Sequence, residues 1–338
     1  MREAAPPSAP TSRIVWPMTT RSAWGLGLAT VTDDGTTLDV WYPNPVLGDE
    51  PEDGHADLRA TLSTMERHDE ARGVHTTVVR TWSDLDDAPQ TVAGAYLRLH
   101  ILSHRLVLPG SVNLDGIVSR LSNVVWTSEG PCAAEDFEHT RARLLAKLGH
   151  PVTVRSVDRF PRMLDYVMPS GVRIGDAGSV CLGAYLAEGT VVMQSGFVSY
   201  NAGTLGRSLV EGRLAHGVII GAGSDIGVGA STMGSLPPGR ERVSLGEGCL
   251  LGANSGLGIP LGDNCVVEAG LYLTADTRVA LLPSGGVVPG PQGQFRQPRV
   301  VEARALSGAS NVLFRRNSQS GAVEAMPRGG KEITLPGA

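Results

Sequence analysis

From Ile174 onward, aliphatic side chains recur every six residues: Val180, Leu186, Val192, Val198 and Val210 share one frame, with Thr204 in the remaining place. Further frames follow, through Ile220, Ile226 and Thr232, through Leu245, Leu251 and Leu257, and through Leu261, Val267, Leu273 and Val279. A period of six is neither the 3.6 of an amphipathic helix nor the alternation of a half-solvated strand. It describes a coil with three short faces of six residues each, in which one aliphatic residue per face points inward and stacks on its counterpart one coil away. Each such side chain, fully buried, contributes roughly 1.5–3 kcal/mol. Repeats of fixed short period mark solenoids, which need several repeats and a cap at each end. The neighbouring residue is often small, as in IGVGAS, LGEGCL and LGDNCV. A narrow interior accounts for that and for the cysteines at 249 and 265. A β-sandwich with many turns is the plain alternative, but random spacing would not keep phase over so many successive sixes.

Composition agrees: 43 glycines and 22 prolines in 338 residues, with only 5% aromatics, favour tight turns over helices packed through bulky side chains. The formal net charge of -5 gives no general attraction to nucleic acid or an anionic membrane, so an anionic ligand requires a local basic site. Cys132, Cys181, Cys249 and Cys265 form no CxxC pair and read as reduced, partly buried side chains rather than a disulfide framework or zinc site. The start, MREAAPPSAPTSRIVW, lacks an apolar h-region and a cleavage site, so a cytoplasmic protein is expected.

The fold class expected is mainly β, with five segments. Residues 1–22 are a disordered lead-in rich in proline and small polar residues. Residues 23–160 form an α/β domain, with a hairpin around Asp33-Asp34-Gly35, a strand from His75 to Trp82, and helices over Val92–Val107 and Ala133–Leu148. Residues 161–282 carry the six-residue coil, 283–298 are a loop insertion, and 299–338 are a C-terminal β region and tail whose last dozen residues fray. In that region RVVEARAL and NVLFRR read as strands. Two breaks in phase stand out: Leu257 to Leu261 is a step of four, and Thr232 to Leu245 a step of thirteen, where MGSLPPGRERV must bulge from the wall. Loops on a rigid scaffold are common places for chemistry.

Three groups of polar residues are candidates for function. Glu211 and Arg213 are two apart, so on an extended face both project the same way, either as a surface pair or as part of a site. His216, six beyond Val210, is a candidate general base, or else fills an inward position. Arg315 and Arg316, followed by Asn317 and Ser318, point to opposite faces of a strand and suit different parts of an anionic ligand, or else are a solvated pair. Gly-rich strings such as LGANSGLG do not build a GxGxxG dinucleotide fingerprint.

The motifs FPRMLDYV, NAGTLG, VEGR, LLGANSGLG, VVEAGLY and LSGASNVLFRRNSQSG resemble the actinobacterial form of the 2,3,4,5-tetrahydropyridine-2,6-dicarboxylate N-succinyltransferase family, over nearly all the chain from Trp24. The resemblance implies a left-handed parallel β-helix of hexapeptide repeats with an N-terminal α/β domain and a small C-terminal β region. It implies a homotrimer with active sites between subunits, and transfer of the succinyl group of succinyl-CoA to the amino group of the ring-opened dicarboxylate substrate. It places Glu211 as the catalytic carboxylate, either general base or nucleophile forming a mixed anhydride, and Gly234 as the backbone donor to the thioester oxygen. It places contacts to the CoA donor at Arg213, Ser231, Ala253, Glu268, Ala269, Arg315, Arg316, Asn317 and Ser318.

The sequence also departs from the family pattern. Gly178 and Ser195 stand where members have acidic magnesium ligands on the trimer axis, so no metal site is expected. Glu302 and Asp276 replace a lysine and a glycine that touch CoA in the family, so either the 283–298 loop supplies a substitute cation or the CoA phosphates are bound more weakly. Two rival readings are another acyltransferase on the same scaffold and a non-catalytic β-helix assembly; the long motifs disfavour the first, and eight scattered histidines supply no ligand triad for the second.

Overall fold

The computed structural model describes residues 20–234, 242–283 and 298–335. Most of the expected lead-in and of the 283–298 insertion lies outside these residues, as does the middle of the 233–243 bulge. Ser22, placed in the lead-in by sequence, instead opens the first strand, and Arg21 before it pairs with Asp86.

The N-terminal part holds two antiparallel sheets. In the first, Ser22–Thr32 lies between Thr37–Trp41 and Val74–Asp84, with Arg67–Asp69 beyond. Against it packs a helix, Val92–Ser103, whose N-cap Thr91 accepts the Gly94 N–H. Ten of its twelve residues are buried, including His100 and Arg98, so this helix is enclosed rather than amphipathic. The second sheet, Gly130–Ala133, Val124–Thr127 and Val154–Asp158, carries the helix Phe137–Leu148. Both helices are shorter than the sequence pattern suggested, ending or starting where polar residues break it. The sheet of three short strands and the helix Ala56–Ser63 were not foreseen.

The coil has three parallel ladders, here called faces A, B and C. Face A starts at Arg173–Ile174 and continues through Val191–Val192, Leu209–Val210, Asp225–Ile226, Leu250–Leu251 and Val266–Val267. Face B runs from Phe197–Val198 through Arg213–Leu214, Ser231–Thr232 and Gly256–Leu257 to Tyr272–Leu273. Face C runs from Tyr185–Leu186 through Gly203–Thr204 and Ile219–Ile220 to Ser244–Leu245. The second residue of each two-residue strand points inward and is buried, from Leu186 to Leu273. Corners turn through the left-handed region, at Gly or at Asn201, Asn254 and Asn264, the non-glycine type best suited to it.

Register measures the coil directly. Arg173 lies beside Val191 and Val191 beside Leu209, a repeat of 18 residues. Leu209 beside Asp225 and Leu250 beside Val266 are coils of 16. The Asp225–Leu250 coil has 25, seven more than the regular one, which is the length of the 235–241 stretch outside the described residues. The first short coil arises because Val210 is followed at four, not six, by the inward Leu214. This corrects the reading of His216: counting six from Val210 makes it inward, but the shortened corner shifts the phase and leaves it half-buried at a corner.

Buried polar groups inside the coil are bonded along the axis. Ser224 donates to Gly246 O and accepts the Cys249 N–H; Cys249 Sγ approaches Gly262 O at 3.1 Å and accepts the Cys265 N–H; Cys265 Sγ reaches Ala309 O at 3.1 Å. The two cysteines therefore do more than fill narrow space: they continue a ladder of small donors. All four cysteines are free.

The C-terminal residues extend face A. Val312–Arg316 adds in parallel beside Val266–Val267, then Val323–Pro327 pairs with it antiparallel, followed by Arg278–Leu281 and Arg299–Glu302. RVVEARAL is a strand only to Glu302; Ala303–Leu306 is a 3-10 turn. The tail is not free throughout its last dozen residues, since Ser310 and Thr334 exchange backbone hydrogen bonds. No helix among the described residues is long and apolar enough to cross a membrane.

Candidate active site

The corner between faces A and B carries most of the residues singled out by sequence. Glu211 sits in the shortened corner of the third coil, its N–H bonded to Ile226 O at 2.8 Å. Only glycine fits beside it: a Cβ on Gly212 would stand 2.3 Å from Ala230 O. The Glu211 carboxylate is half-buried and makes no hydrogen bond or ion pair among the described residues. Arg213 does not pair with it. Its guanidinium lies 4.8 Å from the centroid of the Phe197 ring, the residue directly beneath it on face B. Carboxylate and cation are thus held two residues apart without neutralising one another.

Along the same corner the coils stack. Ala253 belongs to the fifth coil and Glu268 and Ala269 to the sixth, where Gly270 N–H bonds to Ala253 O. Above them the added strand brings Arg315, Arg316 and Asn317 into line: Glu268 N–H bonds to Phe314 O, and Glu268 Oε2 accepts the Arg316 N–H at 2.7 Å. Ser318 is exposed in the turn that follows, and Ser231 stands next to Arg213 on face B. Ten residues named from sequence therefore line one edge of the prism, with Arg213 at one level and Arg315 and Arg316 several coils away. An elongated anionic ligand could lie along such an edge.

Gly234 is elsewhere. It follows face B at its other corner, toward face C, and a Cβ there would lie 3.5 Å from Ala215 Cβ and 3.6 Å from His216 O. The whole width of face B separates it from Glu211, on the order of 10–15 Å for five near-extended residues. His216 shares Gly234's corner, not Glu211's. Its ring stacks on Tyr200 with centroids 4.3 Å apart, and Tyr200 stacks on Phe160 at 3.9 Å. Nδ1 donates to Tyr200 O at 3.2 Å, because a carbonyl can only accept, so Nε2 is the unprotonated nitrogen of the neutral ring. Burial holds this imidazole below its ordinary pKa, and Arg242 adds to the effect.

Two departures noted in the sequence meet in space. Asp276 and Glu302 both pair with Arg304, the second at 3.0 Å to Nε. All three side chains are exposed, so the two acids are balanced in part by one cation that no motif pointed to. Gly178 and Ser195 lie at the A–B corner of the first two coils, one without a side chain and one with a hydroxyl. The nearby Asp176 uses Oδ1 to accept the Gly178 N–H at 2.7 Å. Neither Gly178 nor Ser195 supplies a carboxylate of its own, and within one protomer no group of three or more His, Cys, Asp or Glu that could hold a metal occurs among the described residues.

Sequence reasoning missed Glu324. It is 7% exposed and directly opposite Arg315 in the antiparallel pair; Oε2 accepts from Arg315 Nε at 2.9 Å and Oε1 from Asn317 Nδ2 at 2.8 Å. No local pattern marks it, since its partners are known only once the register of the two strands is known.

Comparisons with known proteins agree with this architecture. A family model described as the middle part of tetrahydrodipicolinate N-succinyltransferase matches residues 121–162, and one described as the hexapeptide repeat of succinyl-transferase matches 242–275. A 2,3,4,5-tetrahydropyridine-2,6-dicarboxylate N-succinyltransferase of Pseudomonas aeruginosa is 55% identical over 241 residues, covering 71% of this chain and 67% of that protein. The protein of the same name from Vibrio cholerae is 42% identical over 337 residues, covering 90% of this chain and 94% of its own length. A crystal structure from Campylobacter jejuni, assigned as a 2,3,4,5-tetrahydropyridine-2-carboxylate N-succinyltransferase, superposes with a TM-score of 0.75 at 29% identity, covering 90% of this chain and 92% of that one. With two such relatives and this β-helix, the chain belongs to the tetrahydrodipicolinate N-succinyltransferase family.

Proposed function

We propose that the chain works as a homotrimer whose active sites lie between subunits, each built from the A–B corner of one protomer and the B–C corner of another. The reaction is that of the family. The enzyme transfers the succinyl group of succinyl-CoA to the amino group of ring-opened tetrahydrodipicolinate, giving N-succinyl-2-amino-6-oxopimelate and CoA on the route to diaminopimelate and lysine. Succinyl-CoA is a co-substrate. The observation that carries the shared site is the separation of Glu211 from Gly234 by the width of face B: a base and an oxyanion donor for one carbonyl must stand within a few ångströms of it, which these two residues of one coil do not.

In this reading water opens the cyclic imine, and the neutral amine attacks the thioester carbonyl. The N–C bond forms, Glu211 takes the proton from nitrogen, and the Gly234 N–H steadies the charge on oxygen. The C–S bond then breaks and the leaving thiolate is protonated to CoA. Glu211 suits the role because no neighbour among the described residues occupies its carboxylate. Arg213, Ser231, Ala253, Glu268, Ala269, Arg315, Arg316, Asn317 and Ser318 hold the donor along the edge, where guanidinium groups meet its phosphates. Four free cysteines fit a reducing cytoplasm.

The test is CoA release from succinyl-CoA in the presence of tetrahydrodipicolinate, with acetyl-CoA as control, on wild type and Glu211→Gln. The variant keeps shape but loses the proton acceptor, so kcat should fall by about 10²–10⁴ while CoA still binds. Near-normal kcat removes Glu211 from the chemistry and brings His216 forward. Light scattering that returns a monomer at assay concentration ends the shared-site model.

A further inference from the structure

We infer that Glu324 is a positioning residue for the donor site, acting through Arg315 and Asn317; the inference rests on the proposed place of succinyl-CoA along the A–B edge. Three observations carry it. Glu324 is a buried carboxylate, and both its oxygens are spent on the two residues that flank Arg316. Arg315 is bound through Nε alone, so its Nη1 and Nη2 fork has no partner among the described residues, and the side chain is 41% exposed. The fork is the part of a guanidinium that grips a phosphate through two parallel hydrogen bonds. A carboxylate at Nε fixes the plane of the group and leaves that fork turned outward.

Asn317 extends the effect to the turn. Its Oδ1 accepts the Gln319 and Ser320 N–H groups at 2.9 and 3.0 Å, its N–H bonds to Ala322 O, and Arg316 Nη1 reaches Gly321 O at 3.0 Å. From the other side, Glu268 Oε2 holds the Arg316 N–H. Two carboxylates thus grip the Arg315–Asn317 segment, Glu324 by side chains and Glu268 by the main chain. The segment is set before the ligand arrives, so less ordering remains to be done on binding.

Glu324→Gln tests the idea in the full-length enzyme. An amide has one acceptor oxygen where two donors must be met, so its NH2 faces either Arg315 Nε–H or the Asn317 amide, donor against donor. Calorimetric Kd for CoA and apparent KM for succinyl-CoA should both rise about tenfold, while kcat and the KM for the amine substrate stay within about twofold. In an Arg315→Ala background the same change should add nothing to Kd, a result that a merely structural carboxylate would not give. Glu324→Asp keeps the charge but withdraws it by one methylene; it should weaken CoA binding less than Gln does, and it serves if the Gln variant fails to fold. Unchanged Kd in Glu324→Gln, or additive losses in the double variant, overturns the inference. If Arg315→Ala and Arg316→Ala both bind CoA normally, it is the placement of the donor on this edge that fails instead.

Discussion

Two buried threonines take the inward place of an aliphatic residue, and replacing each by valine should have unequal results. Thr232 is 2% exposed; its Oγ1 accepts the Ala215 N–H at 3.0 Å and donates to Arg213 O at 3.1 Å. Among the described residues the Ala215 amide has no other acceptor, so Thr232→Val leaves a buried N–H unpaired beside Gly234, at the corner between faces B and C. Such an orphan costs about 1–3 kcal/mol. Thr204, 0% exposed, differs: the Ala187 N–H it accepts at 3.1 Å also reaches Thr204 O at 3.2 Å, so the backbone keeps a partner when the hydroxyl goes. Its remaining bond is to Thr190 Oγ1, which also lies 3.4 Å from Gly206 O. Thr204→Val should therefore stay within about 1 kcal/mol of wild type. Urea midpoints at one fixed protomer concentration measure both, since the stability of an oligomer depends on concentration. Amide exchange at Ala215 should quicken in Thr232→Val alone. Equal destabilisation by the two substitutions, or unchanged protection of Ala215, would refute the argument that the orphaned amide sets the difference.

The N-terminal helix predicts a pH dependence. His100 is fully buried, donating from Nδ1 to Tyr96 O and accepting the Tyr42 N–H at Nε2, and burial holds its pKa down to about 3. A neutral buried histidine contributes stability that is complete above its unfolded value near 6.5 and is lost as pH falls toward about 3, at up to roughly 1.4 kcal/mol per pH unit. Asp39, whose carboxyl burial raises, acts in the opposite sense and softens the loss. His100→Gln should flatten the fall in urea midpoint between pH 6.5 and 4.5; an unaltered slope assigns the effect to other groups. Magnesium makes a separate case: if Gly178 and Ser195 stand at the axial positions that the family resemblance implies, activity after exhaustive chelation should equal that with added magnesium, and a several-fold recovery on adding it would show that other ligands serve.

How far the sequence reaches can be judged at individual positions. The six-residue period gives the three faces and nearly every inward residue because stacking demands the same volume at the same place in each coil. Leu214 escapes that count. A four-residue corner changes the phase without changing the direction of the chain, and it is made possible by Gly212 lying against Ala230 O, a contact one coil away. His216 was misplaced for the same reason. The N-terminal strands Val124–Thr127 and Gly130–Ala133 are too short for alternation to rise above chance, and their pairing is set by tertiary contacts. Glu324 is hidden most thoroughly, because the relation that matters, residue 315 opposite 324, is a register and not a motif.

The same distinction bears on the chemistry. Glu211 and Arg213 are neighbours in sequence, and proximity suggested either a surface pair or a joint site. The coil turns one of them into a corner and lays the other across Phe197, so that neither charge is spent on the other. Glu211 and Gly234 are 23 positions apart and only one coil apart along the axis, yet they stand at opposite corners of one face. A prism with three faces cannot bring two of its corners together by any change of side chain. In the proposed homotrimer, however, its flat sides are set against copies of itself about a three-fold axis, so that the A–B corner of one protomer would meet the B–C corner of the next. The separation that would make a single coil inert is then what an active site between subunits requires. Mixing Glu211→Gln with a variant blocked at Gly234 by a bulky residue should accordingly restore part of the activity that each lacks alone, through those interfaces that receive both intact corners.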